Sequence, residues 1–398
     1  MRRCALALVC LLALSCSRLS PEPVSGTVQM LVLAYDPPSG TYKLVIGDVT
    51  TLHDLRTLSG DAAKILGGAE ISVNYDQLDQ QNPQTAEEIQ NLTTVHAGSP
   101  VDFAYFTVDG IIHPEDFDSL CMATLYFNFE QAHLYFANLN AALYDLPVLY
   151  FAKYSEGTTG HMQTLTDNAF WDSITRQFVV LPFKNIKALP MGMNVGIVAH
   201  EYTHAVFDQQ FNGSQDGIPW LTEKASAEPD RYQAALNLER SLNEGLADFF
   251  GAMVSGDPAF MRKSDSQITD DRRLDPPDPR CYTEELKGNL EDESIDKYDP
   301  YPVGSVLSAA LWAIASNAGN DQQAFAQGVV DGMTALGQTF QKNQDQTTVA
   351  DAIDALASTA SPDDLKPDEC GILLDRFHLT AAEVPHCGES RPPEQTCP

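Results

Sequence analysis

Two histidines four residues apart, His200 and His204, present their rings on the same side only if the chain between them is an α-helix. They stand in Val198-Ala199-His200-Glu201-Tyr202-Thr203-His204-Ala205-Val206, and a helix there offers both imidazoles to a single tetrahedral zinc ion. Glu201 follows the first histidine directly, which puts its carboxylate beside the open coordination position without making it a ligand. The flanking Val and Ala residues predict a buried helix, and burying two imidazoles and a carboxylate costs free energy unless something binds them. A core helix with two satisfied histidines is the competing reading. An H-E-x-x-H string arises by chance in only about one chain in a hundred of this length and composition, so accident explains it poorly.

A third ligand decides what such a metal does, because a structural zinc takes four protein groups and a catalytic one keeps a position for water. No H-x-x-G-x-x-H extension follows His204, which excludes the metzincin arrangement. Downstream, Ser241-Leu242-Asn243-Glu244-Gly245-Leu246-Ala247-Asp248-Phe249-Phe250 has helical periodicity, with Glu244 and Asp248 one turn apart on one face. One carboxylate can bind zinc while the other accepts a hydrogen bond from a ligand imidazole. Two such charges on an acidic chain are ordinarily solvated, but their setting among Leu, Ala and Phe after an H-E-x-x-H favours the metal.

His200-Glu201-x-x-His204 followed by Asn243-Glu244-x-x-x-Asp248 resembles the zinc signature of the thermolysin-like gluzincin metallopeptidases. Upstream, Asn168-Ala169-Phe170-Trp171 is similar to the run that forms the substrate-binding edge strand in that family. The resemblance implies a two-lobed α+β fold, with a β-rich N-terminal lobe, a helical C-terminal lobe and the zinc helix at their junction. It implies His200, His204 and Glu244 as zinc ligands, Glu201 as general base and proton shuttle, and Asn243 and Asp248 as the groups orienting the imidazoles. Asn168 and Ala169 would hold a peptide as an added strand. In that chemistry zinc lowers the pKa of its bound water toward about 7 and Glu201 removes the proton. The hydroxide then attacks the metal-polarised peptide carbonyl, and Glu201 returns the proton to the leaving amine. The expected activity is a zinc-dependent endopeptidase acting on peptide or protein substrates. Members of the family place a late His that donates to the oxyanion. Here Asp299-Pro300-Tyr301-Pro302-Val303-Gly304 puts Tyr301 at that position, either as a phenolic donor in its place or as a loop aromatic at a helix start.

The N-terminus carries Arg2, Arg3 and an apolar run from Ala5 to Leu14, which reads as a signal peptide over residues 1–15. Leu14-Ser15-Cys16 resembles a bacterial lipobox, so Cys16 is a candidate lipid anchor, with ordinary signal cleavage as the alternative. The expected location is the cell envelope, as an outer-membrane lipoprotein, or the exterior. No later stretch is apolar for long enough to span a bilayer, so membrane contact is expected only through that anchor. A balance of 24 Lys+Arg against 55 Asp+Glu gives a net charge of −31, a field that repels nucleic acid and anionic lipid. No C-x-x-C pair is present. Cys281, Cys370, Cys387 and Cys397 are expected to form two disulfides in any of three pairings, and Cys121, in an apolar helical pattern, a buried free thiol.

The chain divides into a tether (16–26), a β-rich lobe (27–193), the zinc helix (194–212), a helical lobe (213–390) and a tail (391–398). Strands are expected at 28–34, 42–46, 147–154 and 178–183, a surface loop at 77–100, and a helix at 117–138. Further helices are expected at 229–254, 304–318, 321–340 and 349–360, with a surface loop at 211–229. The overall pattern is α+β with a cleft between the halves. The acidic stretch Asp265–Asp299 is a candidate for Ca2+, although it lacks EF-hand spacing and solvated charge is the plainer reading. Two other readings stand beside the peptidase: a gluzincin-fold zinc protein with weak or no turnover that binds peptides, and a non-enzymatic surface lipoprotein.

Overall fold

Apolar residues on either side of Pro37-Pro38-Ser39-Gly40 fold into a hairpin, β1 (Val28–Asp36) and β2 (Thr41–Val49), paired antiparallel with Met30 opposite Gly47. The computed structural model describes residues 20–83, 85–184, 188–213, 219–264, 272–294, 297–317, 321–360, 367–388 and 397. The expected signal peptide, Cys16 and, apart from Cys397, the 391–398 tail lie outside them, as do residues 265–271 and 295–296 of the candidate calcium segment.

Short strands follow: β3 (Leu52–Asp54), β4 (Ser59–Gly60), β5 (Lys64–Gly67) and β6 (Glu70–Asn74). Residues 77–100, expected as a surface loop, hold regular structure instead. They contain most of α1 (Tyr75–Gln81), then α2 (Ala86–Thr93), β7 (Thr94–His96) and β8 (Ser99–Pro100). Asn74 caps α1, and Thr85 with Glu88 forms a capping box on α2, so the polar composition here marks helix ends and solvent faces. After β9 (Tyr105–Val108) and β10 (Ile111–Pro114) comes α3 (Phe117–Asn138), with Cys121, Leu125, Phe129, Ala132 and Phe136 all buried.

The run 147–154, expected as one strand, breaks at Phe151, whose backbone is left-handed (φ 49°). Its halves, β11 (Pro147–Tyr150) and β12 (Lys153–Thr158), enter different sheets. With β13 (His161–Thr164), β14 (Ala169–Asp172) and β15 (Gln177–Val180), the N-terminal region forms three sheets. Their orders are β2-β1-β10-β9, then β14-β15-β11-β5-β4-β3 with β8 beside β5, and β13-β12-β6-β7. In the second sheet β14 is the edge strand. Buried Glu130 ties α3 to the end of the first hairpin by accepting the N–H groups of Thr50 (2.6 Å) and Thr51 (2.7 Å).

The C-terminal region is helical: α4 (Val195–Asn212), α5 (Trp220–Ala227), α6 (Pro229–Ser255), α7 (Glu284–Asp292), α8 (Tyr301–Ala315), α9 (Gln322–Asn343), α10 (Val349–Thr359) and α11 (Pro367–Arg376). Helix α5 occupies part of the expected 211–229 surface loop, and it is anchored by the buried Leu221 and Ala225. Helix α4 is fixed at its start and along its back. Fully buried Asn194 caps it, accepting the Gly196 N–H (3.0 Å) and the Tyr42 hydroxyl (2.9 Å) while donating to Phe260 O (2.9 Å) and Ser264 Oγ (3.0 Å). On its far face Tyr202 stacks on Phe136 of α3, with ring centroids 5.3 Å apart, and Phe136 meets Phe250 of α6 at 5.0 Å.

Cys281 is bonded to Cys397 and Cys370 to Cys387, while Cys121 is free and buried. Two disulfides suit an oxidising compartment outside the cytoplasm. Among the described residues no helix is long and apolar enough to cross a membrane.

Helices α6 and α8 touch backbone to backbone at Gly245 and Gly304. A Cβ on Gly304 would lie 2.8 Å from Ser241 O and 2.9 Å from Gly245 N, distances no real side chain tolerates. Gly304→Ala should therefore push the helices apart and destabilise the fold by about 1–3 kcal/mol. Urea denaturation reads this as a lower midpoint, and an unchanged midpoint would mean that the contact is not under steric control.

Candidate metal centre

One face of α4 and one face of α6 form the floor and wall of a cleft of about 700 Å³. From α4 come Ile197, His200, Glu201, His204 and Asp208, and from α6 Leu236, Glu239, Arg240, Asn243 and Glu244, both sets at the helical spacing of a single face. The β14 edge, from Asn168 to Trp171, forms another side, and Tyr301 at the start of α8 also lines it.

His200 Nε2 and His204 Nε2 face each other at 3.1 Å. Each ring is oriented from behind. The Nδ1–H of His204 donates to Asn243 Oδ1 (2.8 Å), and His200 Nδ1 lies 3.0 Å from Asp248 Oδ1, although the approach is oblique to the ring N–H. With both protons held on Nδ1, the two Nε2 lone pairs point at one another, an arrangement that a cation between them relieves. The surroundings favour a positive charge: burial opposes a charged His204, but Glu244 and Glu201 outweigh it and raise its proton affinity.

A proton shared by the two nitrogens would leave Glu244 unexplained. Its Oε2 lies 3.5 Å from His200 Nε2 and its Oε1 3.9 Å from His204 Nε2, too far for good hydrogen bonds. Around a tetrahedral zinc with bonds of about 2.0–2.1 Å, ligand atoms sit roughly 3.4 Å apart, close to the spacing seen here. His200, Glu201 and His204 also present ligand atoms within 4.8 Å of one another, so the buried H-E-x-x-H group could hold a metal ion with either carboxylate nearby. The donor set of two imidazoles and a carboxylate fits zinc.

The two glutamates are placed differently. Glu201 Oε2 accepts the backbone N–H of Trp171 at 2.9 Å, leaving Oε1 at 4.0 Å from His200 Nε2. Burial pushes the Glu201 carboxyl above the usual carboxylate range, with the imidazoles pulling it back. Asp248 goes the other way: burial would raise it, but Arg272, followed by His200, holds it at about 2. Arg272 donates to both Asp248 oxygens (2.6 and 3.1 Å) and lies 3.5 Å from Glu244 Oε2. Its guanidinium also covers the Tyr301 ring, 4.2 Å from the centroid.

The fold thus brings His200, Glu201, His204, Asn243, Glu244 and Asp248 to one point. Tyr301 stands at the cleft wall, 40% exposed, with its phenol pushed up to about 12 by Glu244 and then by burial. Asn168 and Ala169 lie on the edge-strand side, where Asn168 Oδ1 accepts the Ala169 N–H (2.9 Å). Sequence reasoning missed Arg272, which lies in an aperiodic segment; the pair Arg272-Arg273 in an acidic stretch is the only local signal for it. Asp208, which accepts the Trp171 indole N–H at 2.7 Å, was missed as well, although its place at the next turn of the His200–His204 face is a signal that could have found it. No protein-family model matches the chain, and no curated protein sequence matches it significantly.

Asp248→Asn removes the anion that His200 and Arg272 share while keeping its shape. Competition against a chromophoric chelator should show zinc affinity falling by about 10–100-fold. Wild-type affinity in that variant would show that the pair does not support the metal.

Proposed function

We propose that the chain is an exported zinc endopeptidase of the thermolysin-like gluzincin type, with His200, His204 and Glu244 as the zinc ligands. The observation that carries this reading is the 3.1 Å approach of two imidazole nitrogens whose protons are held elsewhere, with Glu244 beside both. Glu244 is preferred to Glu201 as the third ligand because one Glu201 oxygen is already committed to Trp171. When bound, zinc supplies Lewis acidity, which acidifies a water and polarises a carbonyl.

Glu201 then serves as the base. The Trp171 N–H fixes Oε2, so Oε1 is the atom free to take the proton from the attacking water. Burial raises its proton affinity, which suits a group that must hold a proton before handing it to the leaving nitrogen. Asn243 and Asp248 keep the imidazole protons on Nδ1, and Arg272 keeps Asp248 ionised.

The edge strand suits the substrate. Backbone groups alternate along a strand, so the carbonyl of Ala169 faces the same way as the Trp171 N–H, away from β15 and toward the cleft. A peptide laid beside β14 meets that carbonyl, which gives main-chain affinity with little sequence selection. Tyr301 is the candidate donor to the oxyanion. A phenol pushed up to about 12 stays protonated, and therefore remains a donor, through the neutral range. Its partial exposure at a position where the family has His favours, as a second reading, a zinc protein that binds peptides with weak turnover.

Glu201→Gln should retain stoichiometric zinc and lose roughly 10²–10⁴-fold in cleavage of a general fluorogenic peptide. Wild-type cleavage by that variant rules out the mechanism. Wild-type protein that binds zinc and peptide without turnover supports the second reading instead, and protein that takes up no zinc supports a non-enzymatic surface role. For Tyr301→Phe the expected loss in kcat is about 10-fold or more with zinc retained, and unchanged kcat removes Tyr301 from the chemistry.

A further inference from the structure

One turn beyond His204 on α4 stands Asp208, and one turn before Asn243 on α6 stands Glu239, both lining the cleft that holds the candidate metal. Asp208 is anchored, since its Oδ2 accepts the indole N–H of Trp171. Glu239 is half-buried, yet it accepts no hydrogen bond and forms no ion pair among the described residues. Burial, followed by the charge of Asp208, pushes the Glu239 carboxyl up to about 8, while Arg240 pulls it back. Asp208 is itself raised by burial, against the Trp171 hydrogen bond. Two carboxyl groups are thus withdrawn from water side by side. The nearby positive charges, Arg240 and His204 for Glu239 and His204 and Arg176 for Asp208, pull them back less than burial raises them, so a cationic group entering between them is favoured. Leu236, one turn along the same face of α6, and the Trp171 ring give this end of the cleft apolar walls. Apolar walls ending in carboxylates match a side chain with an aliphatic stem and a cationic head.

We propose that Asp208 and Glu239 form a specificity subsite that receives the ammonium or guanidinium end of a lysine or arginine flanking the scissile bond. This deepens the peptidase reading and rests on it. The net charge of −31 attracts any cationic peptide over long range, but salt screens that field, whereas a contact inside the cleft persists.

The test uses the zinc-loaded protein and two quenched fluorogenic alanine-rich peptides that differ only in carrying lysine or norleucine next to the cleaved bond, assayed in 0.5 M salt, roughly a 4 Å Debye length. The expected ratio of kcat/KM, lysine over norleucine, is about tenfold or more, falling toward one in Asp208→Asn/Glu239→Gln. Both amides keep the original shape, and the amide oxygen introduced by Asp208→Asn can still accept the Trp171 indole N–H. Zinc content and a thermal melt check the fold, and the two single variants, each expected to lose part of the ratio, replace the double one if it is unstable. A wild-type ratio near one, or a ratio that survives the variants, overturns the subsite. If neither peptide is cleaved, the peptidase reading fails separately. Fluorescence anisotropy with the same peptides then decides the subsite: tighter lysine binding that the variants abolish supports it, and equal binding refutes it.

Discussion

Two imidazole nitrogens held 3.1 Å apart inside the protein are the constraint around which the helical region is arranged. With both ring protons on Nδ1 nothing about two neutral imidazoles favours that approach, so each element nearby either enforces it or compensates for it. Asn194 fixes the start of α4 against β2 and the Phe260 turn, and Tyr202 fixes its back against Phe136. Asn243 and Asp248, both on α6, aim the rings, while Arg272 stabilises the ionised Asp248 that aiming requires. The glycine contact between α6 and α8 lets the start of α8, with Tyr301, come alongside Glu244. A helix pair set even one side chain further apart would take that wall away from the carboxylate.

The parts legible in the sequence were those whose geometry is local. His200 and His204 share a face because they are four apart on a helix, and Glu244 and Asp248 announce themselves in the same way. Long helices with steady apolar periods, such as α3, α4, α6 and α9, also fall where the periodicity puts them, within a few residues. Helix α8 begins three residues earlier than the apolar pattern suggests: Pro302 is tolerated in the first turn, and Asp299 accepts the Tyr301 N–H. Strands of two to five residues, such as β4 to β8, are too short to establish a period of two. The left-handed Phe151 left no mark in an apolar run, yet it decides which sheet each half joins. Arg272 reaches Asp248 from 24 positions further along the sequence, and no spacing rule covers such a contact.

The acidity of the chain divides in the same manner. Most of its 55 Asp and Glu residues form a diffuse surface field, but those in the cleft have individual circumstances. Asp248 is kept ionised by a cation, Glu201 is drawn toward protonation by burial, and Glu244 stands between two imidazoles and Arg272. Carboxyl groups around one site thus have proton affinities pushed in opposite directions. Such divergence is what lets neighbouring carboxylates take different parts in one reaction.

The bond between Cys281 and Cys397 spans 116 residues of sequence and ties the stretch that follows Arg272 to the far end of the chain. The carboxylate that Arg272 grips belongs to α6, in the middle of the chain. One covalent link between two remote cysteines thus steadies the segment from which Arg272 reaches the site, and reducing that link would loosen the segment while leaving the packing of α4 on α6 in place.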